Sequence, residues 1–291
     1  MDGVKTRVLR TVGCFICGLI AGSISASAES VSIEAQVSAV DAATRRLQVE
    51  IVKSEGEVVE LSVGSVVDFK VGPGDAAIGY LGQTVQAEAV YYNKNWNLEQ
   101  VFPVGPLDER AAINSKLRSD TKALRRGTYV KAGMPIPDFV LIDQNGAFVQ
   151  ASDLKGKAFV LNFIFTRCRA TTMCPASTTR MAELQEQARA AGNEDLHFVT
   201  ISFDPEYDSP GILRQYAEGY GIEFENFHLL TGSPQVVDDL LRQFGILTRE
   251  EDGTINHTMA TVLVDAEGIV AYRKEGQNWK VEDFMKAADS L

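Results

Sequence analysis

Cysteine, histidine and basic charge are all scarce in this chain, and each shortage removes a class of function. Four cysteines occur among 291 residues. Cys14 and Cys17 fall in a leader-like start, which leaves Cys168 and Cys174. Two cysteines six positions apart do not make a disulfide scaffold, though they suffice for one small loop disulfide. Histidine occurs three times, at His197, His228 and His257. Residues 31–110 hold no histidine, methionine or cysteine, so soft-metal ligands are missing there. Lysine and arginine number 28 against 39 acidic residues, a formal charge of −11. That balance argues against nucleic acid or an anionic membrane surface as partner.

The leader itself is informative. Lys5, Arg7 and Arg10 precede a small apolar segment at residues 12–24, and Ala26-Ser27-Ala28 fits an A-x-A cleavage site. This reads as a signal peptide over residues 1–28, which would place the mature chain in the periplasm or another extracytoplasmic space. The segment is short for a transmembrane helix, but left uncleaved it would serve as a membrane anchor. Cys14 precedes most of the apolar segment, which is the wrong order for a lipoprotein cysteine. Cleavage removes Lys5, Arg7, Arg10 and Asp2, and the charge becomes −13.

Residues 29–104 alternate polar and apolar in short runs separated by Gly, Pro and Asn. The runs lie at residues 32–40, 47–51, 57–63, 66–71, 82–92 and 98–102, with Gly72-Pro73-Gly74-Asp75 and Asn93-Lys94-Asn95 as turns. The pattern predicts a small antiparallel barrel of about five strands. Without ligands, it reads as a scaffold or docking surface. Trp96, near a hairpin turn, either packs over the barrel end or stands out as a contact residue. A connector follows over residues 105–132. Ala111, Ile113, Leu117 and Leu124 give it one apolar stripe, as an amphipathic helix requires. Its basic residues read as a solvated face.

The third part spans residues 133–291. Asn145-Gly146 between apolar runs predicts a hairpin. Strands and helices then alternate, with helices predicted over residues 177–191, 209–220, 234–244 and 281–291. This is an α/β sheet covered on both faces. Its centre is the apolar run at residues 158–165, which stops at Thr166-Arg167-Cys168 and leads to Cys174-Pro175. Proline suits the first turn of a helix, so both cysteines are expected in the loop before one. A helix N-terminus favours negative charge and should lower a thiol pKa.

Several motifs carry a family likeness. They are Pro137-Asp138-Phe139, Leu154-Lys155-Gly156-Lys157, Phe163-Ile164-Phe165-Thr166-Arg167-Cys168, Cys174-Pro175, Ile201-Ser202-Phe203-Asp204-Pro205, Asp208-Ser209-Pro210 and His257-Thr258. Over residues 133–291 the chain resembles the SenC/Sco family of thioredoxin-fold copper proteins. The resemblance implies a thioredoxin-like C-terminal domain behind the small β-barrel domain and helical connector. It implies copper as cofactor, with Cys168, Cys174 and His257 as ligands. It further implies a copper-binding metallochaperone of the cell envelope, serving assembly of a cytochrome oxidase copper centre. The partner would be an extracytoplasmic copper acceptor such as an oxidase subunit. The family usually has three residues between its cysteines, and this chain has five.

Other readings of the same residues stay open at this level. An extracytoplasmic thiol-disulfide oxidoreductase would use Cys168 and Cys174 as a redox pair. Such enzymes normally carry C-x-x-C and a facing proline, and Thr258-Met259-Ala260-Thr261 has none. A peroxidase would place Pro-x-x-x-Thr-x-x-Cys at Cys168, and that pattern is missing. His197 and His228 read as ordinary strand residues, and Met173 as packing beside Cys174. Asp204 and Asp208 belong either to the family's acidic loop or to the cap of the next helix.

Overall fold

The computed structural model describes residues 30–105, 108–251 and 254–291. The leader at residues 1–28, with Cys14 and Cys17, lies outside the described residues. Alternation builds the first unit. Strands β1 (Ser30–Asp41), β2 (Arg46–Ser54), β3 (Val66–Lys70), β4 (Thr84–Tyr92) and β5 (Asn95–Pro103) close into a barrel in the order β1-β2-β3-β5-β4. Every second residue points inward: Val31, Ile33, Ala35 and Val37 from β1, and Leu47, Val49 and Ile51 from β2, are all buried. Trp96 packs over the barrel end, edge-on to Phe69 and Tyr91 at 6.4 and 5.1 Å.

Two short stretches differ from expectation. Residues 57–63 are not a strand; they hold one 3-10 turn at Val59–Leu61. Five other strands already close the barrel, and only Leu61 of this turn is buried, while Val59 and Val63 face solvent. Gly72-Pro73-Gly74-Asp75 is more than a turn and opens helix α1 (Pro73–Ile78). Proline at its first position is preset for helical φ.

Helix α2 (Asp108–Ala123) follows. Asn114 accepts from the Val140 N–H and donates to the Val140 carbonyl, at 2.9 and 3.0 Å, as a neighbouring strand would. Arg118 reaches Asp239 at 2.8 Å and Gln243 donates to Thr121 at 3.0 Å, so the helix lies against the second unit. That unit is a seven-stranded sheet of β6 (Val140–Asp143), β7 (Phe148–Gln150), β8 (Phe159–Ile164), β9 (His197–Ser202), β10 (Phe227–Thr231), β13 (Ala260–Val264) and β14 (Val270–Glu275). The order is β14-β13-β8-β9-β10-β6-β7, with β8, β9 and β10 parallel. A separate hairpin of β11 (Thr248–Glu251) and β12 (Thr254–His257) precedes β13.

All six residues of β8 and of β9 are buried, because helices cover both faces. Val160, Phe198, Leu229 and Leu263 meet α3 (Cys174–Ala190), α4 (Pro210–Gly219) and α6 (Val281–Ala288). Phe159, Leu161 and Phe163 meet α2 and α5 (Pro234–Phe244) on the other side. Among the described residues no helix is long and apolar enough to cross a membrane. His197 and His228 sit in β9 and β10, as the strand reading expects.

Candidate metal centre

The centre lies where β8 ends. Phe165, Thr166, Arg167 and Cys168 turn away from the strand end toward α3, with the Cys168 N–H 3.4 Å from the Phe165 carbonyl, and the loop at residues 204–208 flanks them. Asp208 accepts from the Thr166 N–H at 3.1 Å and from the hydroxyls of Thr166 and Ser202. Burial raises its carboxyl to about 6, against the pull of those donors. Arg167 donates through Nε and Nη2 to one Asp204 oxygen, at 2.9 and 2.6 Å, and its guanidinium lies 4.4 Å from the Tyr207 ring. Neither aspartate caps α4, whose N-cap Ser209 has no side-chain cap bond. Both hold the two residues that precede Cys168.

Cys174 corrects the expectation about the loop. It is the first residue of α3 and is fully buried, while Cys168 in the loop is half-exposed. Both are free thiols. Burial pushes the Cys174 thiol well above its ordinary value, and the Phe165 N–H, which bonds to it, only partly opposes this. The helix N-terminus therefore does not make Cys174 a ready thiolate. Desolvation of a charge outweighs a helix-end effect of about 1 kcal/mol. The neighbouring Cys168 adds to the upward push on Cys174, and its own thiol faces the Ala170 carbonyl oxygen at 3.9 Å.

His257 closes β12 and brings its Nε2 to 3.5 Å from the Cys174 sulfur, across 83 residues of chain. Its Nδ1 lies 3.0 Å from the Thr258 carbonyl oxygen. A carbonyl only accepts, so Nδ1 carries the proton and Nε2 presents its lone pair to Cys174. Burial lowers the imidazole pKa, which keeps that lone pair free near neutrality. Phe203 and Phe165 wall the ring at centroid distances of 4.5 and 6.0 Å. Among the described residues, no three Cys, His, Asp or Glu side chains enclose a common point. Cys174 and His257 are in direct contact, and Cys168 lies beside Cys174.

Sequence reasoning missed the support under the site. Asn162, inside the apolar strand β8, donates to Ser177 at 3.1 Å and accepts from Thr200 at 2.6 Å. Trp279 reaches the same Ser177 hydroxyl at 3.4 Å. A lone asparagine in a buried strand was the available signal, since buried amides require partners. Thr178, one turn into α3, bonds the Cys174 carbonyl and the Tyr216 hydroxyl, at 3.0 and 2.8 Å.

The model of the SCO1/SenC family matches residues 131–288. The chain belongs to the SCO1/SenC family. Among SCO1/SenC relatives, the SCO1 protein homolog of Bacillus subtilis is 31% identical over 164 residues, 54% of this chain and 83% of that protein. A Stutzerimonas stutzeri protein named for copper binding is 31% identical over 138 residues, 46% of this chain and 65% of that protein. The crystal structure of a SCO1/SenC family lipoprotein from Bacillus anthracis is 29% identical, with a TM-score of 0.51. It matches over 56% of this chain and 99% of that one. The thioredoxin-like SCO1/SenC fold thus accounts for the seven-stranded unit, and the family match begins beyond the barrel.

Proposed function

We propose that this chain is a copper-binding metallochaperone of the cell envelope, holding copper between Cys168, Cys174 and His257 for assembly of a cytochrome oxidase copper centre. The contact of Cys174 with the unprotonated His257 nitrogen carries the reading. Two sulfurs and one imidazole suit a soft cation such as Cu(I). Copper here is cargo, so the site must take it up and release it to an extracytoplasmic acceptor such as an oxidase subunit. Cys168 and His257 are both partly exposed, so an acceptor protein meets them before the buried Cys174. The Stutzerimonas relative named for copper binding supports the metal, and the Bacillus anthracis lipoprotein supports an extracytoplasmic site. A cleaved leader at residues 1–28 would deliver the chain there. Plain disulfide exchange is not favoured, since Cys168 and Cys174 are not spaced as C-x-x-C and Thr258-Met259-Ala260-Thr261 has no proline.

Competitive Cu(I) titration of the reduced chain tests the proposal. One Cu(I) per chain is expected, with Cys174→Ala abolishing tight binding and His257→Ala weakening it by about tenfold to a hundredfold. Equal stoichiometry and affinity in all three proteins would end the copper reading.

A further inference from the structure

Residues 31–110 carry no soft ligand, yet the barrel grips the loop that holds the turn leading to Cys168. Gln100 of β5 donates from Nε2 to the Tyr207 carbonyl at 3.0 Å. Its backbone has φ of 54°, a left-handed conformation that is rare for a non-glycine residue in a strand. The β4–β5 register slips beside it, between Gln86 and Glu88, as a bulge requires. A bulge re-aims a side chain, and strain of this kind persists only where surrounding structure imposes it. Four residues on, the barrel holds the same segment again. Helix α1 packs onto the first turn of α4 so closely that a Cβ on Gly74 would stand 1.9 Å from the Gly211 carbonyl oxygen. The Asp75 carboxyl fills the space where a Gly211 side chain would go, at 2.2 Å.

The other side of the loop at residues 204–208 faces the metal centre. Asp208 holds Thr166, Asp204 holds Arg167, and the Tyr207 ring lies under the Arg167 guanidinium. Cys168 is the next residue. The loop is thus fixed by the barrel on one side and fixes the approach to Cys168 on the other.

We propose that the barrel is a positioning element of the cysteine–histidine centre, with Gln100 as the residue that sets the loop behind Cys168. The proposal rests on the copper reading for its purpose, but its geometry does not depend on metal. Gln100 touches neither sulfur and acts through Tyr207 and Arg167. Loss of its amide donor frees the loop, exposes Cys168 and weakens the grip on Cu(I).

Two variants of the full chain test this. Gln100→Glu keeps the size and removes the donor. Gln100→Gly removes the donor and also relieves the left-handed backbone, so it should not lower the melting temperature. The first readout is the rate at which iodoacetamide modifies Cys168 in the reduced, metal-free chain, mapped by peptide mass. Both variants should react about fivefold faster, the factor that corresponds to one neutral hydrogen bond. Cu(I) affinity by competition should fall by about the same factor. A merely structural role for Gln100 would move the melting temperature and leave both readouts in place. Rates and affinities within twofold of the parent in both variants would overturn the proposal. If the parent itself binds no Cu(I), the copper reading fails while the alkylation arm still decides the barrel's role.

Discussion

At Cys174 two effects of opposite sign meet. The start of α3 and the Phe165 N–H favour a thiolate, and complete burial disfavours it. Burial wins, so the two thiols differ in reactivity although they are neighbours. Iodoacetamide at mildly alkaline pH should modify Cys168 about tenfold faster than Cys174 or more. Peptide mapping of the reduced chain checks this, and equal rates would contradict it. Cys168 and Cys174 could be singled out in the sequence because no other cysteine lies beyond the leader, and His257 because the other two histidines read as ordinary strand residues. Their states were not legible there. Whether a thiol at a helix start is charged depends on solvent access, which spacing alone does not report. The same limit hid Asp204 and Asp208, whose partners lie 37 and 42 residues away and read locally as helix caps.

At the scale of elements, the contact of α1 with α4 is the tightest join between the two units. Gly74→Ala should push the helices apart, because the added Cβ meets backbone, which cannot rotate away. Overpacking of this kind costs about 1–3 kcal/mol, and in a chain of this size it should lower the melting temperature by roughly 3–10 °C. Calorimetry checks it, and an unchanged transition would show that the join is not under compression. Elements with a clear period were legible: the barrel strands, the Asn145-Gly146 hairpin and the helices behind β9 and β10. Residues 57–63 misled because valine and leucine at strand-like spacing also suit one exposed turn. Residues 72–75 misled because Gly-Pro-Gly reads as a turn until Pro73 is seen at the head of a helix. The β11–β12 hairpin, which presents His257, is short and polar and leaves almost no period to read.

For the whole molecule, proton binding at the barrel junction ties stability to pH. Burial raises the Asp75 carboxyl from 3.8 to about 7, and the Tyr80 hydroxyl at 3.1 Å is its hydrogen-bond donor. The folded chain therefore holds this proton more tightly than the unfolded chain. Its contribution to stability is fully present below about pH 4 and is lost as pH rises through about 7. Asp75→Asn should abolish that slope and stabilise the protein at pH 8 by on the order of 3 kcal/mol. Denaturation curves from pH 5 to pH 8 check it, and parallel pH profiles would contradict it. The change in period near residue 105 sets the barrel strands apart from the seven-stranded sheet. The contact between these parts was not legible, since Gln100–Tyr207 and Gly74–Gly211 join residues more than a hundred positions apart. The metal centre is tested most directly by copper K-edge absorption of the reduced chain loaded with one Cu(I). The account predicts a shell of two sulfurs and one nitrogen, with the nitrogen lost in His257→Ala. A shell without sulfur, or one unchanged by that substitution, would contradict it.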